Sequence, residues 1–465
     1  MSERSTSTTS LQADYLVVGC GALGMAFADE LVTQTDAEIV MIDRRHAPGG
    51  HWLEAYPFVR LHQPSRYYGV NSMPLGGEAR QETGPEAGWY ERAGAAEICG
   101  YYDRVMRERL IASGQVRFFP QCDHLGDGRF VSRLSGEAFE VSIRRRLVDA
   151  AYLPHAIPAE HPPRFELEPG VDCITPGELA GLADHPDRYV VVGAGKTGMD
   201  TCVWLLENGV DPEAIRWIKP REAWLLNRAY AQPGELVGDL MEGIARQMES
   251  AAAASSAADL FERLEGSAQI RRVDSGVRPT MHKGATISEW EIEQLRQIEN
   301  VDRLGRVRRI ERDRIVFEQG EAPAAAGSLY IHCAAPGLPV RPPLPVFDGD
   351  RITLQAIRLG LPPFAAAMIG FVEANRDDDA EKNRLCPPNP YPDTDLDWAR
   401  CTRTAMNADY SWTQEPDIVA WLDRTRLNAM SGLSAHAGEP EVQQSLQRFI
   451  ENVRPGLGKL AELSG

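Results

Sequence analysis

Two stretches of the chain share one pattern: a short run of apolar, β-prone residues, then a cluster of glycines, then apolar positions recurring at helical spacing. They are YLVVGCGALGMAFADEL (Tyr15 to Leu31) and YVVVGAGKTGMDTCVWLL (Tyr189 to Leu206), and each predicts strand, tight turn and helix in that order. Placing Gly19 on Gly193 also places Gly21 on Gly195, Gly24 on Gly198 and Met25 on Met199. Further strand-like runs lie at EIVMID, FEVSIRRRLVD, AIRWIKPREAW, VRRIERDRIVFEQG and LYIHCAAPG, whereas Pro233 to Ile298 and the stretch beyond the acidic, proline-containing ANRDDDAEKNRLCPPNPYPDTD read as helical. Strands alternating with helices predict an α/β fold.

The glycine spacing says what the turns are for. In Gly19-Cys20-Gly21-Ala22-Leu23-Gly24 the first glycine permits the tight turn, the second lets backbone approach a pyrophosphate, and the third lets helix and strand pack closely. The next strand ends at Asp43, about 20 residues on, where a carboxylate accepts hydrogen bonds from ribose hydroxyls and disfavours a 2′-phosphate. That points to FAD or NAD at the first loop. The second loop contains Gly195-Lys196-Thr197, the ending of an ATP-binding P-loop, but counting back five from Gly195 reaches Val190 where that loop requires glycine. Gly193, Gly195 and Gly198 instead fit a second dinucleotide turn. The strand after it carries Trp217 in place of an acid and then Lys219 and Arg221, a pair of cations suited to the 2′-phosphate of NADPH in preference to NADH.

The expected architecture is therefore α/β with two Rossmann-like dinucleotide-binding domains, a helical insertion and a helical C-terminal region. Its divisions are a disordered tail over 1–12, a first nucleotide domain over 13–160, and a second over 161–325 with the insertion at about 233–298. A return segment to the first domain spans 326–375, and the helical region runs over 376–465. A proline-rich link through Pro163 marks the first crossing between domains.

Bulk properties narrow the partners. A length of 465 residues suits several domains. The net charge of −18 argues against nucleic acid and anionic membranes and for a small-molecule substrate. The apolar run Leu361 to Val372 is interrupted by Pro362 and Pro363 and is far shorter than the roughly 20 residues of a membrane span. MSERSTSTTS lacks the apolar core of a secretory signal, and a cytoplasmic protein is expected. The eight cysteines include no Cys-x-x-Cys pair and the ten histidines no His-x-x-x-His pair, so reduced thiols and no metal site are expected. GLSAH (Gly432 to His436) lacks the last glycine of a nucleophile elbow. RPTMHKGATISEWE reads as a polar pocket wall or an ordinary loop, and LPPFAAAMIGFVEA as a helix packed on the first domain.

The segment after the first loop adds a resemblance. DRRHAPGGHW (Asp43 to Trp52) is similar to the part of flavin-containing and Baeyer-Villiger monooxygenases in which an acidic-basic pair precedes two glycines and a tryptophan, matched here by Asp43, Arg44, Gly49, Gly50 and Trp52. YPFVRLHQPSRYYGV resembles the Tyr-Pro stretch that follows, through Tyr56, Pro57, Arg60, Ser65 and Tyr68. The resemblance implies FAD at the first loop and NADPH at the second. It also implies hydride transfer to flavin and insertion of one oxygen atom from molecular oxygen into a small organic substrate, with His62 near the flavin where Baeyer-Villiger enzymes carry an aspartate. The linker before the second loop, Arg164 to Gly181, offers Phe165 and Gly170 without that family's linker histidine. Two alternatives stay open: an NAD(P)H-dependent flavin reductase or dehydrogenase without oxygen transfer, and a non-catalytic nucleotide-sensing protein.

Overall fold

The computed structural model describes residues 8–77, 79–338, 341–358 and 360–464. Residues 1–7 of the expected tail lie outside that range. The remainder of it is not tail: a strand runs over Thr9–Val18, because Leu11 and Ala13 alternate with polar residues and pair with Val141 and Ile143 in register.

That strand is central to the first sheet. Parallel neighbours are ordered Arg351–Thr353, Ala138–Asp149, Thr9–Val18, Ile39–Ile42 and Val116–Phe119, with an antiparallel pair, Cys122–Gly126 and Arg129–Ser132, attached to Ala138–Asp149. Helix Ala22–Gln34 lies against helix Pro362–Asn375. Gly370 permits their approach, since a methyl group placed on it would sit 3.1 Å from the Phe27 carbonyl oxygen. Pro362 and Pro363 start the second of these helices, where proline's fixed φ and missing N–H are harmless.

The second sheet is parallel throughout, ordered Val301–Asp302, Ile215–Ile218, Arg188–Val192, Ser328–His332 and Cys173–Ile174. The chain leaves the first sheet after Asp149 and the second after His332. The two connecting segments meet in an antiparallel bridge in which Ala156 and Gly337 exchange N–H···O bonds of 2.8 and 3.1 Å.

The segment read as a helical insertion is helical at both ends and carries strands between them. Helices Val237–Ala253 and Ala257–Gly266 are followed by strands Ile270–Arg271 and Met281–Ile287, which join Ala223–Asn227 in a third sheet, and then by helix Glu289–Leu295. Gly284 and the β-branched Thr286 and Ile287 disfavour helix over Met281–Ile287. In the C-terminal region, helix Pro440–Ser464 packs on Val237–Ala253. Gly456 lets them pack tightly, since a methyl group there would lie 2.9 Å from the Met248 carbonyl oxygen.

Candidate cofactor and active site

Each glycine loop is shaped by contacts that exclude a side chain. Gly19 and Gly193 have φ of +106° and +135°, a region that favours glycine. A methyl group on Gly24 would sit 2.0 Å from the Gly19 carbonyl oxygen, and one on Gly198 would sit 2.2 Å from that of Gly193. The helices that follow begin at Ala22 and Lys196, with no side chain capping either first turn. Their N–H groups therefore remain as donors to an anion, aided by the helix dipole. A methyl group on Gly195 would meet nothing within 4 Å, so the second loop presents bare backbone to open space. These features fit a dinucleotide pyrophosphate at each loop.

Gly19 and Gly21 on one side and Gly193 and Gly195 on the other line the same cavity, of about 1240 Å³. That exceeds the ~300–1,000 Å³ of a usual small-molecule site, leaving room for more than one occupant.

The first-loop candidates gather around this cavity. Asp43 lines it while bracing the loop: one carboxylate oxygen accepts the Cys20 N–H at 2.6 Å and the other the Arg45 N–H at 2.8 Å. Gly49 and Gly50, both at positive φ, seat the following turn on the loop; the Gly49 N–H donates to the Cys20 carbonyl at 2.9 Å, and a methyl group on Gly50 would lie 3.0 Å from the Gly21 Cα. Trp52 donates its indole N–H to the Tyr68 hydroxyl at 2.8 Å, and His51 stacks on His155 of the crossing segment at 4.2 Å. Arg44 lines the cavity but its half-exposed guanidinium pairs with Glu160 at 2.7 Å. Arg60 lines the cavity from an exposed position, bridged through its backbone to Gly94. His62 also lines it; burial first, then the charge of Lys196, lowers its imidazole to about 4 and keeps it neutral at pH 7.

The structure separates the two cations expected at a 2′-phosphate. Arg221 lines the cavity, with Asp393 3.3 Å from its guanidinium. Lys219 does not reach it: the side chain is 2% exposed, its ammonium lies 2.6 Å from Glu222 and 4.3 Å from the centre of the Trp217 ring. Trp217, standing where the first unit has Asp43, donates its indole N–H to the Gly193 carbonyl at 2.8 Å, so it supports the loop from beneath.

Sequence reasoning missed a buried ionic network beside His62. Lys196, in the second glycine loop, places its ammonium 2.5 Å from Asp200 and 2.9 Å from Glu291. Asp200 also accepts the Tyr56 hydroxyl at 2.7 Å. Glu291 in turn pairs with Arg228 at 2.7 Å, and Arg228 pairs closely with Glu86, which Arg92 holds at 3.0 Å. Burial alone would raise Glu291, but Lys196 and Arg228 override it and hold its carboxyl far below the usual range. The Thr286 hydroxyl and Arg228 both donate to the His62 carbonyl, at 2.6 and 3.3 Å. Three cations and three carboxylates thus tie the second loop, the inserted segment and the first unit together without net charge. The one sequence trace is Ser288-x-x-Glu291, legible as a helix capping box, which does form.

Among the described residues no cluster of His, Cys, Asp and Glu could hold a metal ion, and no helix is long and apolar enough to cross a membrane. No protein-family model matches the chain. Solved structures similar to it include a flavin-containing monooxygenase from Stenotrophomonas maltophilia, with 16% identity, 69% of this chain and 78% of that one covered, and a TM-score of 0.40. Another is an open form of cyclohexanone monooxygenase, with 14% identity, 96% and 99% coverage, and a TM-score of 0.44. By sequence, uncharacterized protein Rv2000 of Mycobacterium tuberculosis is 48% identical over 425 residues, covering 91% of this chain and 79% of the relative. At that identity over that length, the chain belongs to the family of Rv2000.

Proposed function

We propose that the protein is an FAD-dependent, NADPH-consuming monooxygenase that inserts one oxygen atom from molecular oxygen into a small organic substrate. The observation that carries this reading is that both dinucleotide loops open onto one cavity. Two nucleotide sites facing each other serve a hydride transfer between cofactors, for which the protein supplies mainly position and electrostatics. The cytoplasm is the proposed compartment.

FAD at the first loop would supply hydride acceptance and oxygen activation. The chain's own residues have simpler tasks. The N–H groups at Gly21–Ala22 and Gly195–Lys196 bind pyrophosphate, and Asp43 meets ribose. Arg221 meets the 2′-phosphate of NADPH, with Lys219 reassigned to supporting Trp217. Gly49, Gly50 and Trp52 cover the flavin side, joined by Arg44 and Arg60 at the rim. Trp52 and Tyr68 form a dry wall, their polar atoms satisfying each other. His62, neutral and beside Lys196 and Asp200, offers a hydrogen bond without adding charge.

Purified protein should carry flavin absorbance that NADPH bleaches without oxygen; absence of bound flavin, with no binding of added FAD, refutes the proposal. A reductase without oxygen transfer is the second reading, favoured by the absence of a histidine between Arg164 and Gly181. Readmitting air to the NADPH-reduced protein decides between them: a transient near-ultraviolet band supports oxygen transfer, and immediate reoxidation with stoichiometric hydrogen peroxide supports the reductase. Steady NADPH consumption by the isolated chain excludes a purely nucleotide-sensing role.

A further inference from the structure

Arginine is concentrated in one short run of this acidic chain. Residues 303–314 hold six of them, Arg303, Arg306, Arg308, Arg309, Arg312 and Arg314, in a protein of net charge −18. Most are engaged by neighbours. Arg303 pairs with Glu222 and Asp274 at 2.9 and 2.7 Å, Arg309 and Arg314 share Glu311 at 3.3 and 2.6 Å, and Arg312 donates to the Pro169 carbonyl at 2.7 Å. Arg306 differs from these in two respects. It lines the cavity, and its guanidinium, 72% exposed, stands 3.7 Å from Glu318, a carboxylate already accepting the Arg306 backbone N–H at 3.0 Å.

A second arginine reaches the same wall from the crossing between the two units. Arg164 is exposed, lines the cavity and has no carboxylate partner among the described residues. Strand Glu166–Leu167 runs parallel to Val307–Ile310, with Glu166 opposite Arg309; counting back two residues on each chain sets Arg164 level with Val307 and next to Arg306. Their neighbours Phe165 and Val307 pack in one cluster with Val192, the residue before Gly193. Both arginines therefore stand at the cavity rim, on the side of the sheet that carries Val192.

A dinucleotide at the second loop needs such charges. Its pyrophosphate carries two negative charges, and a helix N-terminus offers the equivalent of about half a positive one. The lysine of that loop, Lys196, is already matched by Asp200 and Glu291. Exposed cations also draw in an anionic ligand before contact, which matters for a nucleotide that must enter and leave in every turnover.

We propose that Arg164 and Arg306 capture the incoming nicotinamide dinucleotide by its pyrophosphate, acting on NADPH and NADH alike, while Arg221 reads the 2′-phosphate. This rests on the reading of the second loop as the nicotinamide-nucleotide site; it requires neither bound flavin nor oxygen transfer.

The test titrates NADP+ and NAD+ into the purified protein and follows the heat of binding, which needs no turnover. Arg164→Gln and Arg306→Gln should each weaken both nucleotides about fivefold, the upper end for a partly exposed ion pair. The double variant should also flatten the loss of affinity between about 0.01 and 0.15 M salt, over which the Debye length shrinks from about 30 to about 8 Å. Arg308→Gln removes the same charge from an exposed neighbour outside the cavity wall and should leave both affinities within about twofold. An equal loss in Arg308→Gln, affinities unchanged in the double variant, or no binding of either nucleotide to the parent overturns the proposal. A loss confined to NADP+ also overturns it, by moving the two arginines to the 2′-phosphate. Flavin absorbance and its bleaching by NADPH, measured on the same preparation, report separately on the enzymatic reading: a parent that binds both nucleotides but no flavin refutes that reading and leaves this one standing.

Discussion

Replacing Lys196 with methionine tests whether the lysine of Gly195-Lys196-Thr197 binds phosphate or holds the molecule together. Its side chain is 10% exposed and that of Glu291 only 6%, so the ammonium balances two carboxylates largely out of water. Methionine keeps the stem and removes the charge. Breaking a buried pair by deleting one partner costs about 3–5 kcal/mol, because the other charge is stranded. Here Glu291 retains Arg228 and Asp200 retains the Tyr56 hydroxyl, which places the expected loss near the lower end, about 3 kcal/mol. Urea unfolding followed by tryptophan fluorescence should show this as an earlier first transition, with the Lys196→Met and Glu291→Gln effects strongly non-additive. The pH dependence has a definite sign. Glu291 has a depressed folded pKa, so its stabilisation is present above the ordinary glutamate value of about 4.3 and is lost as pH falls below it. The difference between parent and Lys196→Met should accordingly be full at pH 7 and shrink in acid. A Lys196→Met protein as stable as the parent but binding NADPH more than tenfold more weakly would refute this account and restore a phosphate role.

Gly24→Ala and Gly198→Ala should fail differently. With methyl groups 2.0 and 2.2 Å from the carbonyl oxygens of Gly19 and Gly193, the first should lose flavin on purification, while the second should keep it but resist reduction by NADPH. Arg221→Ala should raise the NADPH dissociation constant more than that of NADH. Lys219→Ala removes the ammonium over the Trp217 ring and leaves Glu222 with Arg303 alone, which should lower the unfolding midpoint with no such discrimination; equal nucleotide effects of the two would reverse the assignment. Burial lowers His62, His155 and His282 each to about 4. As pH drops from about 6.5, the ordinary histidine value, towards 4, the unfolded chain takes up protons that the folded one refuses, and stability should fall. Replacing all three with glutamine should flatten that slope in a denaturant series between pH 7 and 5.

How far the sequence could be read depended on whether a residue's partners are local. Gly24 and Gly198 are constrained by the carbonyls of Gly19 and Gly193, five positions back, and the spacing of these four glycines alone announces the turns. Lys196 and Asp200 are one helical turn apart, but the other partner of Lys196 lies at position 291 and those of Arg228 at 86 and 291, and nothing in periodicity connects these. Lys219 misled for a related reason. It stands two residues beyond Trp217, so it was counted outward from the strand with Arg221, yet its ammonium folds back over the Trp217 indole and onto Glu222, and only Arg221, beyond Pro220, enters the cavity wall. The inserted segment was half legible because its first part has a clean helical stripe, whereas Met281–Ile287 acquires its pairing from Ala223–Asn227, more than fifty residues earlier.

The same non-local contacts give the ionic network a consequence for nucleotide choice. Lys196, Arg228 and Arg92 are matched by Asp200, Glu291 and Glu86, so the cations nearest the second loop have no charge to spare for a phosphate. Discrimination between NADPH and NADH must then come from a cation that is less fully engaged. Arg221, 37% exposed and paired among the described residues with one carboxylate at 3.3 Å, meets that condition where Lys219 does not. Freeing Arg221 from that carboxylate should strengthen the discrimination: Asp393→Asn should tighten NADPH relative to NADH, by roughly the 0.2–1 kcal/mol that a partly exposed ion pair commands. An unchanged NADPH to NADH affinity ratio in Asp393→Asn would mean that Arg221 is not the residue that reads the 2′-phosphate.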